Sequence, residues 1–291
     1  MLTSTLVLGL VLGGTYAMAA LGLTLQYGVA RIMNLAYGEF IITASFATYV
    51  LFTALNLNPV VAIALVVPAG FLMSYGIYFI VIRPLAARAK DAASLEIDSI
   101  LATFGMLFLI QGLLLVSFGS NYTNYSYLNT PVEVFGVVIA ANRLLAFVLA
   151  IFFGGGLYLV MTRTRWGMAM RAVATQPESA ALVGLDINKT ARLAFALGGA
   201  LAALAGVVIS MHETFTATGG VVFTMKALVV VILGGVGNLL GALVAGLLLG
   251  LIEALVSTYI DPGLTLAATY GIFLLMLLWR PTGIFGRAGS R

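Results

Sequence analysis

The chain has 291 residues, 62% of them hydrophobic and 8% charged, with a net charge of +4, one histidine and no cysteine. A soluble domain carries about 25% charged residues, so the composition excludes a soluble fold of this size and leaves an all-α, polytopic protein embedded in a lipid bilayer. The absent cysteines exclude disulfides and thiolate metal sites, His212 alone argues against a histidine metal centre, and the basic excess reports membrane orientation rather than nucleic-acid binding.

Apolar runs follow one another near 3–25, 37–56, 59–82, 99–119, 142–162, 190–211, 225–257 and 264–279. At about 20 residues per span, they predict one transmembrane domain over 1–291 with eight or nine membrane segments. The first run has no basic leader and reads as a retained helix, although Ala17-Met18-Ala19 has the look of a cleavage site. The 225–257 run is too long for one span. It is broken at Gly234-Gly235-Val236-Gly237-Asn238, which makes it either one interrupted span or two segments joined in the bilayer.

Small residues four apart (Gly9 and Gly13; Gly198, Ala202 and Gly206; Gly237, Gly241 and Ala245) predict closely approaching helices. Arg83, Arg88 and Lys90 follow the third run. Arg163, Arg165, Arg171, Lys189 and Arg192 follow the fifth, and Arg280, Arg287 and Arg291 follow the last. By the positive-inside rule these three regions and the C-terminus are cytoplasmic. The 120–141 loop, without Lys or Arg, is then external, as is His212-Glu213, and Tyr122, Tyr125 and Tyr127 suit an interfacial belt. Nine crossings are favoured; they put the N-terminus outside and leave only Arg143 and Lys226 at the external side.

Two places interrupt the apolar helices with polar or glycine-rich residues: 27–40, with Asn34, Tyr37, Gly38 and Glu39, and 234–238, with Gly234, Gly235, Gly237 and Asn238. A broken helix at membrane depth must line water or be buried in protein, because lipid cannot satisfy its free backbone groups. Half-helix N-termini then offer N–H groups to a carboxylate and C-termini offer carbonyls to an ammonium, so these residues are candidates for a substrate path. The competing reading is that the glycines serve packing alone. Glu253 joins the candidates, because a charge at the membrane centre costs about 2.5–3.5 kcal/mol and implies a partner or an aqueous path; alternatively it lies near a helix end among headgroups. The spans hold no ladder of acidic or histidine residues for proton coupling, and the chain has no G-x-x-x-x-G-K-[ST] phosphate loop. Its energy must come from elsewhere.

The segment 163–189 is the longest polar interruption. Thr175 or Gln176 can cap a short helix with Pro177 in its first position and Glu178 in its first turn. Gly184 fits just past the helix end, and Asp186 or Asn188 can cap the next span. This predicts two short helices with a bend at Thr175–Pro177. An ordinary amphipathic surface helix is the competing reading.

Glu178-Ser179-Ala180 with Gly184 resembles the E-A-A-x-x-x-G coupling motif of ABC importer permeases, departing at Ser179. Asn34-Leu35-Ala36-Tyr37-Gly38-Glu39-Phe40 resembles the N-F-A-H-G-E-F segment of the branched-chain amino acid permeases of that class, departing at Leu35 and Tyr37. Gly234 to Asn238 with Gly241 is similar to their G-G-x-G-[TN]-x-x-G segment, and Arg280 to Gly286 to their R-P-x-G-[IL]-F-G ending. The resemblance covers nearly the whole chain and is to the first of the two homologous permeases such systems use. It implies a bacterial inner-membrane subunit carrying leucine, isoleucine or valine, with urea or amides as the cargo of close relatives. It implies as partners two cytoplasmic ATPases, a second related permease or a second copy, and a periplasmic binding protein. ATP would be held by the partners and no cofactor by this chain. It assigns ATPase coupling to Gly167, Arg171, Ala172, Pro177, Glu178, Ser179, Ala180, Ala181, Gly184 and Asp186. A self-sufficient secondary transporter or channel, and an intramembrane enzyme, are the competing classes.

Overall fold

Among the described residues, eight helical stretches of 18 residues or more are long and apolar enough to cross a bilayer. The computed structural model describes residues 2–89, 91–134, 136–280 and 282–286. In chain order these hold α1 (Leu2–Ala30), α2 (Tyr37–Leu55), α3 (Pro59–Ile77), a π-helical turn (Tyr78–Ile82), α4 (Arg83–Arg88), α5 (Ala92–Phe118), β1 (Pro131–Val134), β2 (Val137–Ala140) and α6 (Ala141–Arg163). Then come α7 (Arg165–Thr175), α8 (Pro177–Leu182), α9 (Ile187–Ser210), α10 (Gly220–Gly234), α11 (Leu239–Tyr259), a 3-10 turn (Pro262–Leu264) and α12 (Thr265–Trp279). Lys90, Pro281, Arg287 and Arg291 lie outside the described residues.

Local sequence sets the helix starts. Asn58, ahead of Pro59, accepts from the Val60 N–H at 2.9 Å, Asp91 and Ser94 form a capping box on α5, and Asn238 accepts from the Gly241 N–H at 3.0 Å to open α11. Each supplies an acceptor for a helix N–H that has no partner within its own helix.

α1 and α9 form the buried centre. α1 runs antiparallel to α11, and glycines bring the backbones together: a Cβ on Gly9 would lie 2.9 Å from the Leu251 Cα, one on Gly13 2.6 Å from the Leu247 Cα, and one on Gly246 2.5 Å from the Ala17 Cα. The small-residue pairs expected from spacing are therefore contact surfaces. One end of the bundle gathers the β1–β2 hairpin, the Thr123–Phe215 bridge and the Tyr127–Asn58 hydrogen bond of 2.8 Å. The other end gathers α7, α8, the last turns of α1 and the 282–286 segment, whose Ile284 N–H donates to the Leu233 carbonyl at 2.7 Å. The beginning of α1 lies at the hairpin end, and the chain's last described residues lie at the α7–α8 end.

The long apolar run resolves into α10 and α11. With 15 residues, α10 is about 22 Å long, short of the roughly 30 Å hydrocarbon core. It starts inside the bundle: Ala217 packs with Ile42 and Phe46 of α2, so the segment before α10 descends along α2. That descent and α10 together make a ninth passage, which accounts for both eight long helices and nine crossings. One expectation needs correction. Lys226 is not at the external side but inside the bundle, because α10 begins earlier than the apolar run and carries Lys226 past its first turn. Within the 120–141 loop, Pro131 to Val134 pairs antiparallel with Val137 to Ala140.

Candidate functional site

The α7–α8 pair confirms the predicted bend. Thr164 caps α7 by accepting from the Gly167 N–H at 3.1 Å, and a Cβ on Gly167 would collide with the Met161 backbone, so only glycine lets α7 fold back against α6. Arg171 donates to the Thr162 carbonyl at 3.3 Å. Gln176 occupies the α8 N-cap position without a side-chain cap bond, and Thr175 instead donates to the Arg171 carbonyl. Gly184 has φ +81 with open space around it, so its conformation rather than its size demands glycine. Asp186, not Asn188, caps α9, accepting from the Lys189 N–H at 2.9 Å.

This pair has two faces. Met170, Val173 and Ala180 pack with Leu25 and Val29 of α1 and Met161 of α6. On the other face a groove is lined by Ala172, Thr175, Gln176, Ser179, Ala180 and Val183. Glu178, Ala181, Gly184 and Asp186 are exposed around it, with Pro177 half-buried. Leu182 and Val183 stand 89% and 76% exposed at the end of α8. These two were not singled out from sequence: in an amphipathic segment apolar residues read as the buried face, and only the packing of α8 on α7 and α9 shows them free.

Between α1 and α2 the chain leaves helix over residues 31–36, and buried side chains meet several of the freed backbone groups there. Thr103 of α5 accepts from the Leu35 N–H at 3.1 Å and donates to the Met33 carbonyl at 3.2 Å. Thr224 of α10 donates to the Leu35 carbonyl at 3.1 Å and accepts from the Gly38 N–H at 2.8 Å. Asn34 accepts from the Ala36 N–H at 3.1 Å and donates to Gln26 at 3.0 Å. Tyr37 is fully buried and donates to the Ala19 carbonyl at 2.7 Å.

A Cβ on Gly38 would fall on the Gly220 carbonyl, so α2 and α10 meet N-terminus to N-terminus. Glu39 sits at that meeting, 0% exposed, its carboxylate against the Cα of Gly220. Neither of its oxygens has a hydrogen-bond partner among the described residues. Two helix N-termini, each equivalent to about half a positive charge, face this one carboxylate.

The other path candidates lie elsewhere. Gly234 packs on Gly241, and a Cβ on Gly28 would lie 2.5 Å from the Gly237 Cα. Asn238 donates to the Phe285 carbonyl at 3.2 Å. This interruption is at the α7–α8 end, one α10 length (about 20 Å) from Glu39, so it is a close-packed corner at the bundle end and not a break at mid-depth. Glu253 forms a third locality. It is 5% exposed, which excludes the headgroup alternative. It accepts from Lys226 at 3.0 Å, from Tyr16 at 2.6 Å and from Thr269 at 2.8 Å, while Lys226 also donates to the Tyr16 hydroxyl at 2.7 Å. The network ties α10 to α1, α11 and α12. Tyr16, Thr103, Gly220, Thr224 and Thr269 were not singled out from sequence. The Gly219-Gly220 pair, a break signal, was the one cue to where α10 begins.

Residues 5–279 match the model of the family described as branched-chain amino acid transport system, permease component. The chain is 32% identical to the high-affinity branched-chain amino acid transport system permease protein BraD of Pseudomonas aeruginosa, over 97% of this chain and 95% of that protein. It is 29% identical to the corresponding LivH of Escherichia coli K12, over 96% of this chain and 94% of the relative. The ribose import permease RbsC of the same organism is 26% identical over 80% of this chain and 72% of its own length. No solved structure matches.

Proposed function

We infer the chain's work from one premise: it belongs to the branched-chain amino acid transport system permease family. It is a multi-pass inner-membrane permease component of an ABC transport system for branched-chain amino acids, a transport subunit and not an enzyme. The finer assignments are our proposal. Two cytoplasmic ATPases hold and hydrolyse the ATP, this chain binds no nucleotide, a second homologous permease or a second copy completes the pore, and a periplasmic binding protein delivers the cargo. The membrane is that of a bacterium, and the α7–α8 end and the C-terminus face the cytoplasm, in keeping with Arg83, Arg88, Arg163, Arg165 and Arg171 at that end.

The exposed Leu182–Val183 ridge beside a groove of small residues carries the coupling assignment, since exposed apolar side chains beside a small-residue groove suit a partner's surface. We propose that an ATPase grips α8 there, that α7 and α8 move together with the end of α1, and that the motion reaches the 31–39 break and Glu39, where the cargo passes. Leucine, isoleucine and valine are the proposed cargo; urea or amides are the alternative within the family, and nothing in this site favours them. In the reconstituted complex, Leu182→Asp removes about 1.5–3 kcal/mol of burial, so ATPase affinity falls about tenfold or more. Gly184→Val at φ +81 strains the end of α8 by about 1–2 kcal/mol and lowers uptake with insertion intact. Wild-type ATPase binding and uptake in both variants refutes the coupling role. Uphill leucine transport by the lone chain in liposomes refutes the need for an outside motor.

A further inference from the structure

At the end opposite α7 and α8, the loop after α5, the start of α6 and the turn after α9 border an open pocket of about 270 Å³. It lies just below the roughly 300–1,000 Å³ of sites for drug-sized ligands, a size for a small solute. Its walls carry one charge of each sign, Arg143 on α6 and Glu213 after α9, and are otherwise largely polar, with Asn124, Tyr125, Asn129 and Thr214 among them. Neither charge forms an ion pair among the described residues.

Both walls are fixed. Asn142 donates to the Met211 carbonyl at 2.9 Å and accepts from the Arg143 N–H at 2.8 Å, pinning the start of α6 to the end of α9. The Glu213 N–H donates to the Ile209 carbonyl at 2.9 Å, and Phe215 and Thr123 exchange backbone hydrogen bonds of 2.9 and 3.0 Å. Tyr125 is hydrogen-bonded to Ser210 at 2.8 Å, and burial pushes its phenol up to about 12, so this wall stays uncharged at working pH. Beneath, Glu213 is an electrostatic neighbour of Tyr16, which belongs to the Lys226–Glu253 network.

Two opposite charges on separate elements, among uncharged polar side chains such as Asn124, Asn129 and Thr214, match a zwitterion. We propose that this pocket is an entry site for a free amino acid, with Arg143 holding the carboxylate and Glu213 the ammonium. The identity of the cargo rests on the function proposed above; the site itself is a separate assignment.

The test uses the complete complex of permeases, ATPases and binding protein for uptake, and the same complex without binding protein for equilibrium binding of labelled leucine. Leucine binds saturably, and 4-methylpentanoate, which lacks the ammonium, and isopentylamine, which lacks the carboxylate, each compete about tenfold or more weaker. Arg143→Gln and Glu213→Gln each weaken leucine binding about tenfold or more and raise the KM of uptake, with maximal rate and melting temperature unchanged. The competitor series needs no variant, so it decides even where a substitution misfolds. Equal competition by the three ligands, or wild-type leucine binding in both variants, overturns the entry site. So does a raised KM with unaltered leucine binding, which makes the pocket a seat for the binding protein. A wild-type complex that takes up no leucine refutes the cargo reading. One that takes it up while both variants bind leucine normally refutes the entry site alone.

Discussion

Glu39 is a fully buried carboxyl that no described side chain answers. An uncompensated carboxylate away from water is costly unless nearby dipoles offset it, and the facing N-termini of α2 and α10 supply that offset. Glu39→Gln keeps the shape and removes the ionisable carboxyl. The expected outcome is a melting temperature no lower than wild type together with a marked loss of leucine uptake in the reconstituted complex, the signature of a residue kept for function at a cost in stability. Full uptake in this variant removes Glu39 from the proposed path. The residue was readable in the chain as an acid opening an apolar run, but its surroundings were not, because Gly220 and Thr224 come from a segment about 180 positions away. Gly184 was readable in full: a helix end followed by a capped span requires a left-handed residue, and φ is positive there.

Among the elements, α10 is held by its charge. Lys226 and Glu253 bridge α10 and α11 with Tyr16 and Thr269 as further partners. Removing one member of a buried pair leaves the other uncompensated, so Glu253→Gln or Lys226→Met costs about 3–5 kcal/mol, while the double variant costs far less than the sum. Thermal unfolding of the four proteins in one detergent measures this cycle, and additive losses show the pair to be uncoupled. The alternation of helices and breaks was visible because glycine, proline and asparagine punctuate apolar runs. The pairing of Lys226 with Glu253 was not, since sequence periodicity places a residue on a face but does not choose which helix covers that face. The same gap explains why the breaks at 31–36 and 234–238 looked alike, although one is threaded by Thr103 and Thr224 within the bundle and the other closes a corner at its end.

For the whole molecule, nine passages place the start of α1 and the 282–286 segment at opposite ends. A cysteine in place of Leu2 should react with a membrane-impermeant maleimide from outside intact spheroplasts, and one in place of Phe285 only after the cells are opened; the chain has no native cysteine to confuse the result. Labelling of both from one side contradicts the odd number of passages. The bundle class followed from composition, and the number of passages was narrowed by the basic residues, but the short α10 and its descending approach required the packing of Ala217 on Ile42 and Phe46. Leu25 and Val29 share a single apolar cluster with Met170, Val173 and Ala180. A densely packed contact of that kind does not compress. If α8 is where the proposed ATPase grips, a push there meets the residues just beyond Ala30 through this one cluster, a lever arm only a few side chains long.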